Sequence, residues 1–222
     1  KDYLSDTRNP RWVAKPTVAY LWARTVKCKN CRAIVPLIKS KWICKKSNKR
    51  ILLNIAPNDD KTGVLYDVKK DVPVKGGNAA AKREHDKRIG EGTTSRSGLK
   101  CACCGLVSMT AEDIRLEGQS GRIGYAMTSV AVRGQKTKEF RNPTDYEKEK
   151  ADVSPDKVEE VFSDIPFGTP NEPTPKGGGR GAERAFTVQG YGLMKWKDLF
   201  LNRELLTIGT LIRYILKIIA MP

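Results

Sequence analysis

A single histidine, His85, stands among 222 residues, and that scarcity removes several chemistries at once. A histidine-rich metal site, a His-Glu-x-x-His protease helix and a two-histidine centre all need a second imidazole. His85 as the base for a Ser or Cys nucleophile is the remaining catalytic use, but in "AKREHDKR" it is ringed by charge and reads as a solvated loop residue. Long apolar runs are equally scarce. The longest uncharged part of the terminal apolar segment is Leu205 to Ile212, eight residues, against the roughly 20 that a membrane helix needs. The expectation is a protein without a membrane span, and cytoplasmic. No signal-peptide pattern is visible. "PKGGGRG" lacks the Gly-Lys-Ser/Thr of a phosphate-binding loop and follows no apolar strand, so it reads as flexible chain. Six cysteines are too few for a secreted disulfide scaffold of this length.

Positive charge is what the chain has in excess, with a net +16, and it is unevenly placed. Residues 1–104 hold 24 Lys and Arg against 9 Asp and Glu, a balance of +15; residues 105–222 hold 17 against 16. Clustered cations displace condensed counterions from phosphates, so the asymmetry points to a polyanion such as nucleic acid. The competing reading is a solvated basic surface. Two dense runs are the candidate nucleic-acid contacts: Lys45, Lys46, Lys49 and Arg50, then Lys82, Arg83, Lys87 and Arg88. Trp42 is an aromatic able to stack on a base, although between Lys and Ile in a strand it fits a core better.

Both cysteine pairs lie in this basic half. Cys28-x-x-Cys31 and Cys101-x-x-Cys104 form a complete tetrahedral ligand set, each pair presenting two thiolates from one tight turn. The 69 residues between the pairs exceed the roughly 15 to 20 of a compact ribbon. Closing the longer loop costs about 1.2 kcal/mol extra, whereas a structural zinc contributes on the order of 10 kcal/mol, so the insertion is tolerable. Two disulfides or plain buried thiols are the competing readings. Cys103 is an alternative ligand if the second turn is irregular, and Cys44 reads as a half-buried strand residue.

The periodicity predicts an α+β protein: a zinc-ribbon-like β-rich region over 1–134 and a mixed, helix-ended region over 135–222. "TVAYLWARTVK", "AIVPLIKSKWI", "RILLNIAP" and "GVLYDVKKDVPV" read as strands. Residues 75–100 are polar and Gly-spotted, as in an inserted surface loop. "DIRLEGQSGRIGYAMTSVAVRG" reads as two strands around a Gly-containing turn. Ser154 and Pro155 mark a helix start, 163–184 is a Pro/Gly-rich segment, and Asn202 caps a terminal helix over about 202–219. Leu205, Ile208, Ile212, Ile215 and Ile219 form one stripe of that helix, and its greasy flanks need neighbours. Starting at Lys1 and closing on an apolar run, the chain reads as a piece of a longer protein.

Four blocks, "YLWARTVKCKNCRAIVPL" (20–37), "CACCG" (101–105), "LEGQSGRIG" (116–124) and "YGLMKWKDLFLNRELLT" (191–207), together resemble the middle region of prokaryotic adenine-specific DNA methylases that contain a zinc ribbon. They cover about a third of the chain, in the expected order. That family usually has Gly directly after the first Cys pair; here the residue is Arg32. The resemblance implies a restriction-modification or anti-phage defence setting and a zinc-binding, DNA-binding insert that positions DNA for methylation. It implies as partners DNA and the remainder of the methyltransferase chain, reached through the C-terminal helix. S-adenosylmethionine would serve only the full-length protein, whose methylase flips an adenine and methylates its exocyclic amine. A Gly-rich cofactor turn and a catalytic tetrapeptide are both missing here. The nearest imitation, Asp164-Ile165-Pro166-Phe167, lacks the first Pro of an Asp-Pro-Pro-aromatic motif. The fragment itself is therefore expected to be non-catalytic. A purely structural or protein-interaction zinc module is the alternative.

Overall fold

The computed structural model describes residues 15–178, 180 and 185–220. The chain is α+β, β-rich first and helical at the end, and divides into two compact units. The first comprises Lys1–Met109 and Gly124–Pro143; the second comprises Thr110–Ile123 and Thr144–Pro222. Each unit is thus discontinuous, instead of meeting its neighbour once near residue 134. The reason is the pairing of β1 (Thr17–Lys27) with the late strand β9 (Gly124–Arg133), which draws the chain back into the first unit.

Among the described residues, three antiparallel sheets build the first unit. The largest has the order β10-β9-β1-β2, with β2 at Ile34–Pro36 and β10 at Lys138–Arg141. β9 is central and is buried continuously from Met127 to Val132, the pattern of a strand covered on both faces. The β1–β9 register shifts twice, between Thr17 and Ala19 and between Leu21 and Trp22. A second sheet orders β3 (Trp42–Lys46), β4 (Lys49–Pro57) and β5 (Val64–Lys69) as a meander. Asn142, just past β10, accepts from the Val68 N–H at 2.7 Å and donates to Asp67 at 3.1 Å, tying this meander to the first sheet. The third sheet is small: β6 (Thr94–Ser95), β7 (Gly98–Lys100) and β8 (Val107–Met109). Val26, Val35, Leu99, Met109 and Val130 are among the fully buried side chains of this first unit. The run expected as one strand from Ala33 to Ile43 is split into β2 and β3.

Residues 75–100 are not a loop. They hold α1 (Ala79–Gly90), whose first turn is closed by Asn78 Oδ1 accepting from the Ala81 N–H at 2.8 Å, followed by β6 and β7. The composition misled because α1 docks through polar contacts and buries almost no apolar surface.

In the second unit, α2 (Ala111–Gln119) occupies the first of the two segments expected as strands. Thr110 and Asp113 form a reciprocal capping box, Asp113 N–H to Thr110 Oγ1 at 3.2 Å and Thr110 N–H to Asp113 at 2.8 Å, which commits the chain to a helix. Gly118 of α2 lies so close to the 3-10 turn Val188–Tyr191 that an added Cβ would stand 2.3 Å from the Tyr191 carbonyl oxygen. α3 (Asp145–Ala151) and α4 (Pro155–Phe162) follow, with Ser154 at the cap position and Pro155 first in the helix, as expected. Leu201, not Asn202, occupies the N-cap position of α5 (Asn202–Ile219), without a side-chain cap; Asn202 instead donates to the Val153 carbonyl at 2.9 Å. Val158, Phe162, Ile165 and Leu205 form the core between α4 and α5, with Ile212 packed against it. The expected stripe on α5 is therefore split. Leu205 and Ile212 face that core, while Ile208, Ile215 and Ile219 are exposed. Thr174, within the Pro/Gly-rich segment, is buried and donates to the Leu193 carbonyl at 2.7 Å, so this part is ordered though irregular. Most of "GRGAER" lies outside the described residues. No helix of the described residues is long and apolar enough to cross a membrane.

Candidate metal centre

Each cysteine pair follows the end of a strand, Cys28 after β1 and Cys101 after β7, where the chain must turn. The two turns use the same hydrogen bonds. The Cys28 N–H donates to the Ala33 carbonyl at 2.8 Å and the Arg32 N–H to the Cys28 carbonyl at 3.0 Å. In the second turn the Cys101 N–H donates to the Leu106 carbonyl at 2.9 Å and the Gly105 N–H to the Cys101 carbonyl at 3.0 Å. The residue after each pair is left-handed: φ is 65° at Arg32 and 75° at Gly105. Arg32 thus takes the conformation that Gly105 takes in the second turn, and the two turns keep the same geometry.

These turns bring the Sγ atoms of Cys28, Cys31, Cys101 and Cys104 within 4.8 Å of one another. Cys28 and Cys104 are 4.0 Å apart, and Cys31 and Cys101 are 3.6 Å apart. A tetrahedron with metal–sulfur bonds of about 2.3 Å has sulfurs about 3.8 Å apart, so the four thiols have the spacing of a structural zinc site. A disulfide needs sulfurs about 2.05 Å apart, and all six cysteines are free. The four-thiol group is therefore compatible with zinc.

Surrounding groups fit thiolates. Burial opposes ionisation of Cys28, yet the Ser108 hydroxyl and the backbone N–H groups of Cys31 and Asn30 draw its pKa down to about 6. The Ser108 hydroxyl is buried with no oxygen or nitrogen partner, so the sulfur is its natural acceptor. The Asn30 side chain and the Leu106 N–H lower the pKa of Cys104. Burial pushes Cys101 up, despite a Cys103 N–H that donates to its Sγ at 3.3 Å. Binding a metal would release the protons that burial retains. Cys103 is turned elsewhere: its thiol donates to the Gly63 carbonyl at 3.2 Å, and burial, then the charge of Cys31, raises its pKa. Cys44 is half-buried in β3, as expected.

The basic residues do not behave as one group. Arg50 is nearly buried and grips the buried Asp86 of α1 through both guanidinium nitrogens, Nη1 at 3.0 Å and Nη2 in closer contact. Lys45 reaches the same carboxylate at 3.2 Å. Lys49 donates to Thr137 Oγ1 at 2.9 Å and to the Lys138 carbonyl. Lys46, Lys82, Arg83, Lys87 and Arg88 are exposed. Trp42 is held: its Nε1–H donates to the Asp86 carbonyl at 3.0 Å, and the Arg50 guanidinium lies 4.7 Å from its ring centre. Neither Trp42 nor Arg50 is free to meet a nucleic acid without breaking this arrangement. His85 is mostly buried beside Asp86, with Nδ1 3.7 Å from the carboxylate, and is not the solvated loop residue expected. Asp164 accepts from Arg213 at 2.8 Å, and Ile165 beside it is core.

The Asp86–Arg50 pairing is what sequence reasoning missed. Its partners are 36 residues apart, and the only hint was an acidic residue inside a basic run. Comparison with protein-family models, with curated proteins and with solved structures returns no match.

Proposed function

We propose that the chain is a zinc-stapled, DNA-contacting insert of an adenine-specific DNA methyltransferase, which holds DNA for methylation by motifs elsewhere in the protein. The observation that carries the reading is the convergence of Cys28, Cys31, Cys101 and Cys104 within one strongly basic unit. That unit holds 28 Lys and Arg against 10 Asp and Glu, whereas the other holds 13 against 15. Zinc closes the unit, and its cations attract phosphate without reading bases. The methyltransferase setting rests on the four sequence blocks. S-adenosylmethionine belongs to the complete enzyme.

The test is metal analysis of gently purified, reduced protein, followed by duplex DNA binding between about 50 and 200 mM salt. One zinc per chain and an affinity falling steeply with salt, both lost on chelation, are expected. Zinc without salt-dependent DNA binding refutes DNA contact and leaves a structural or interaction module. That second reading is favoured by α5, where Leu211, Tyr214, Ile215, Ile218 and Ile219 are each more than half exposed.

A further inference from the structure

α1 is an unusual helix to find docked. Its sequence, AAAKREHDKRIG, offers almost no apolar face, yet two of its residues, Asp86 and Gly90, are buried. Four contacts fasten it. Arg50 grips the Asp86 carboxylate, Trp42 Nε1 donates to the Asp86 carbonyl at 3.0 Å, and the Lys41 N–H donates to the Gly90 carbonyl at 2.9 Å. Gly90 itself lies against the Trp42 ring so closely that a Cβ would stand 2.2 Å from it. A buried ion pair is no better at stabilising a fold than apolar packing of the same volume. What this one supplies is a fixed position for a helix that hydrophobic burial would not hold.

The clamp also sorts the charges. Asp86 is neutralised by the nearly buried Arg50 and by Lys45, so it does not offset the exposed cations of the helix. Lys82, Arg83, Lys87 and Arg88 are exposed, and among the described residues none of their side chains makes an ion pair or hydrogen bond. The only exposed acidic residue of the helix is Glu84. Arg83 and Lys87, at i and i+4, repel one another, while Glu84 and Arg88 at the same spacing attract. The exposed residues of α1 thus carry a net +3 along a rod about 18 Å long.

We propose that α1 is the element that meets the DNA phosphate backbone through Lys82, Arg83, Lys87 and Arg88, and that Arg50, Asp86, Trp42 and Gly90 are positioning residues that hold it for that contact. The proposal rests on the DNA-contacting reading above and narrows it: Lys45 and Arg50 of the first basic run fasten the helix, and the second run carries the interaction.

The experiment uses the full chain, zinc-loaded, with a labelled duplex titrated between about 50 and 200 mM salt. Changing Lys82, Arg83, Lys87 and Arg88 together to Gln should lower the log-log salt slope by about 3.6, at about 0.9 per contact, with zinc content unchanged. The four single substitutions, each expected to remove about 0.9, give the same answer should the quadruple variant fail to fold. Gly90→Ala removes no charge but displaces the Trp42 ring, so tryptophan emission should shift and both affinity and slope should fall. A parent that binds DNA while the Gln variants keep its slope overturns the assignment to α1 and leaves the DNA reading standing. A parent that shows no salt-dependent binding overturns both. A Gly90→Ala protein with altered emission and parental binding shows that charge count alone matters, which overturns the positioning role.

Discussion

Arg32→Gly should stabilise the protein although it deletes an entire charged side chain. Arg32 holds φ at 65°, where an L-residue pays about 1–2 kcal/mol relative to right-handed backbone. Its side chain is exposed, so no packing is lost. Glycine removes the steric cost but surrenders about 0.5–1 kcal/mol of extra chain entropy on folding. The balance favours Gly by about 0.5–1 kcal/mol. For a chain of this size that raises Tm by about 1–3 °C, and it tightens zinc in a chelator competition by about two- to fivefold. The second knuckle is the internal control. Gly105 has φ 75° and no atom within 4 Å of a would-be Cβ, so Gly105→Ala suffers the backbone cost alone and should lower Tm by a similar amount. Arg32→Ala, which keeps the steric cost and loses only the exposed side chain, should be near neutral. Differential scanning calorimetry on the zinc-loaded variants reads all three. A lower Tm for Arg32→Gly, or a large loss for Arg32→Ala, would mean that the Arg32 side chain holds the knuckle and that the backbone argument is wrong.

Cys101→Ser should abolish zinc binding whereas Cys103→Ser should retain one zinc per chain, because the Cys103 thiol is directed to the Gly63 carbonyl; equal loss in both, by metal analysis, contradicts the ligand set. The Arg50 hydrogen bonds, against the opposing effect of burial and with help from Lys45, hold Asp86 at a pKa of about 2, compared with an ordinary 3.8. A depressed carboxylate stabilises the fold above its unfolded pKa and loses that contribution as pH falls through the folded one. The parent should therefore lose stability between about pH 4 and pH 2, and Asp86→Asn, destabilised by about 3 kcal/mol at neutral pH, should flatten the profile there in denaturant titrations. Gly209→Ala places a Cβ 2.6 Å from Val161 Cγ1 and 2.7 Å from the Phe162 ring, and should destabilise the α4–α5 pair by about 1–3 kcal/mol, read as lost helical signal on melting.

The legible parts of this chain were those set by short-range chemistry. Cysteine spacing and β-branched runs marked both knuckles, β1, β4 and β5, because a knuckle or a strand declares itself within about ten residues. Ser154-Pro155 marked α4 for the same reason. What stayed hidden depends on distant partners. α1 looked like loop because its anchors, Arg50 and Trp42, lie on another element. α2 was legible in principle: Thr110-x-x-Asp113 is a capping box, but the alternating pattern after it drew the reading to a strand. The division of the basic residues into buried anchors and exposed cations is set by packing, and charge counting is blind to it.

The pairing of β1 with β9 also sets an order of assembly. Thr25 lies opposite Gly124, so the strands enclose nearly a hundred residues. β1 leaves the ribosome long before its partner, and at about 5–20 residues per second it waits at least several seconds with its edge open. The second cysteine pair emerges sooner. Once a metal ties Cys101 and Cys104 to Cys28 and Cys31, the chain between them no longer counts, and about two dozen residues remain to be closed. The entropy of that closure falls by roughly 1.3 kcal/mol, close to a tenfold gain in the odds of correct pairing. A metal held there would act as a basting stitch, placed early so that the long seam can close in register.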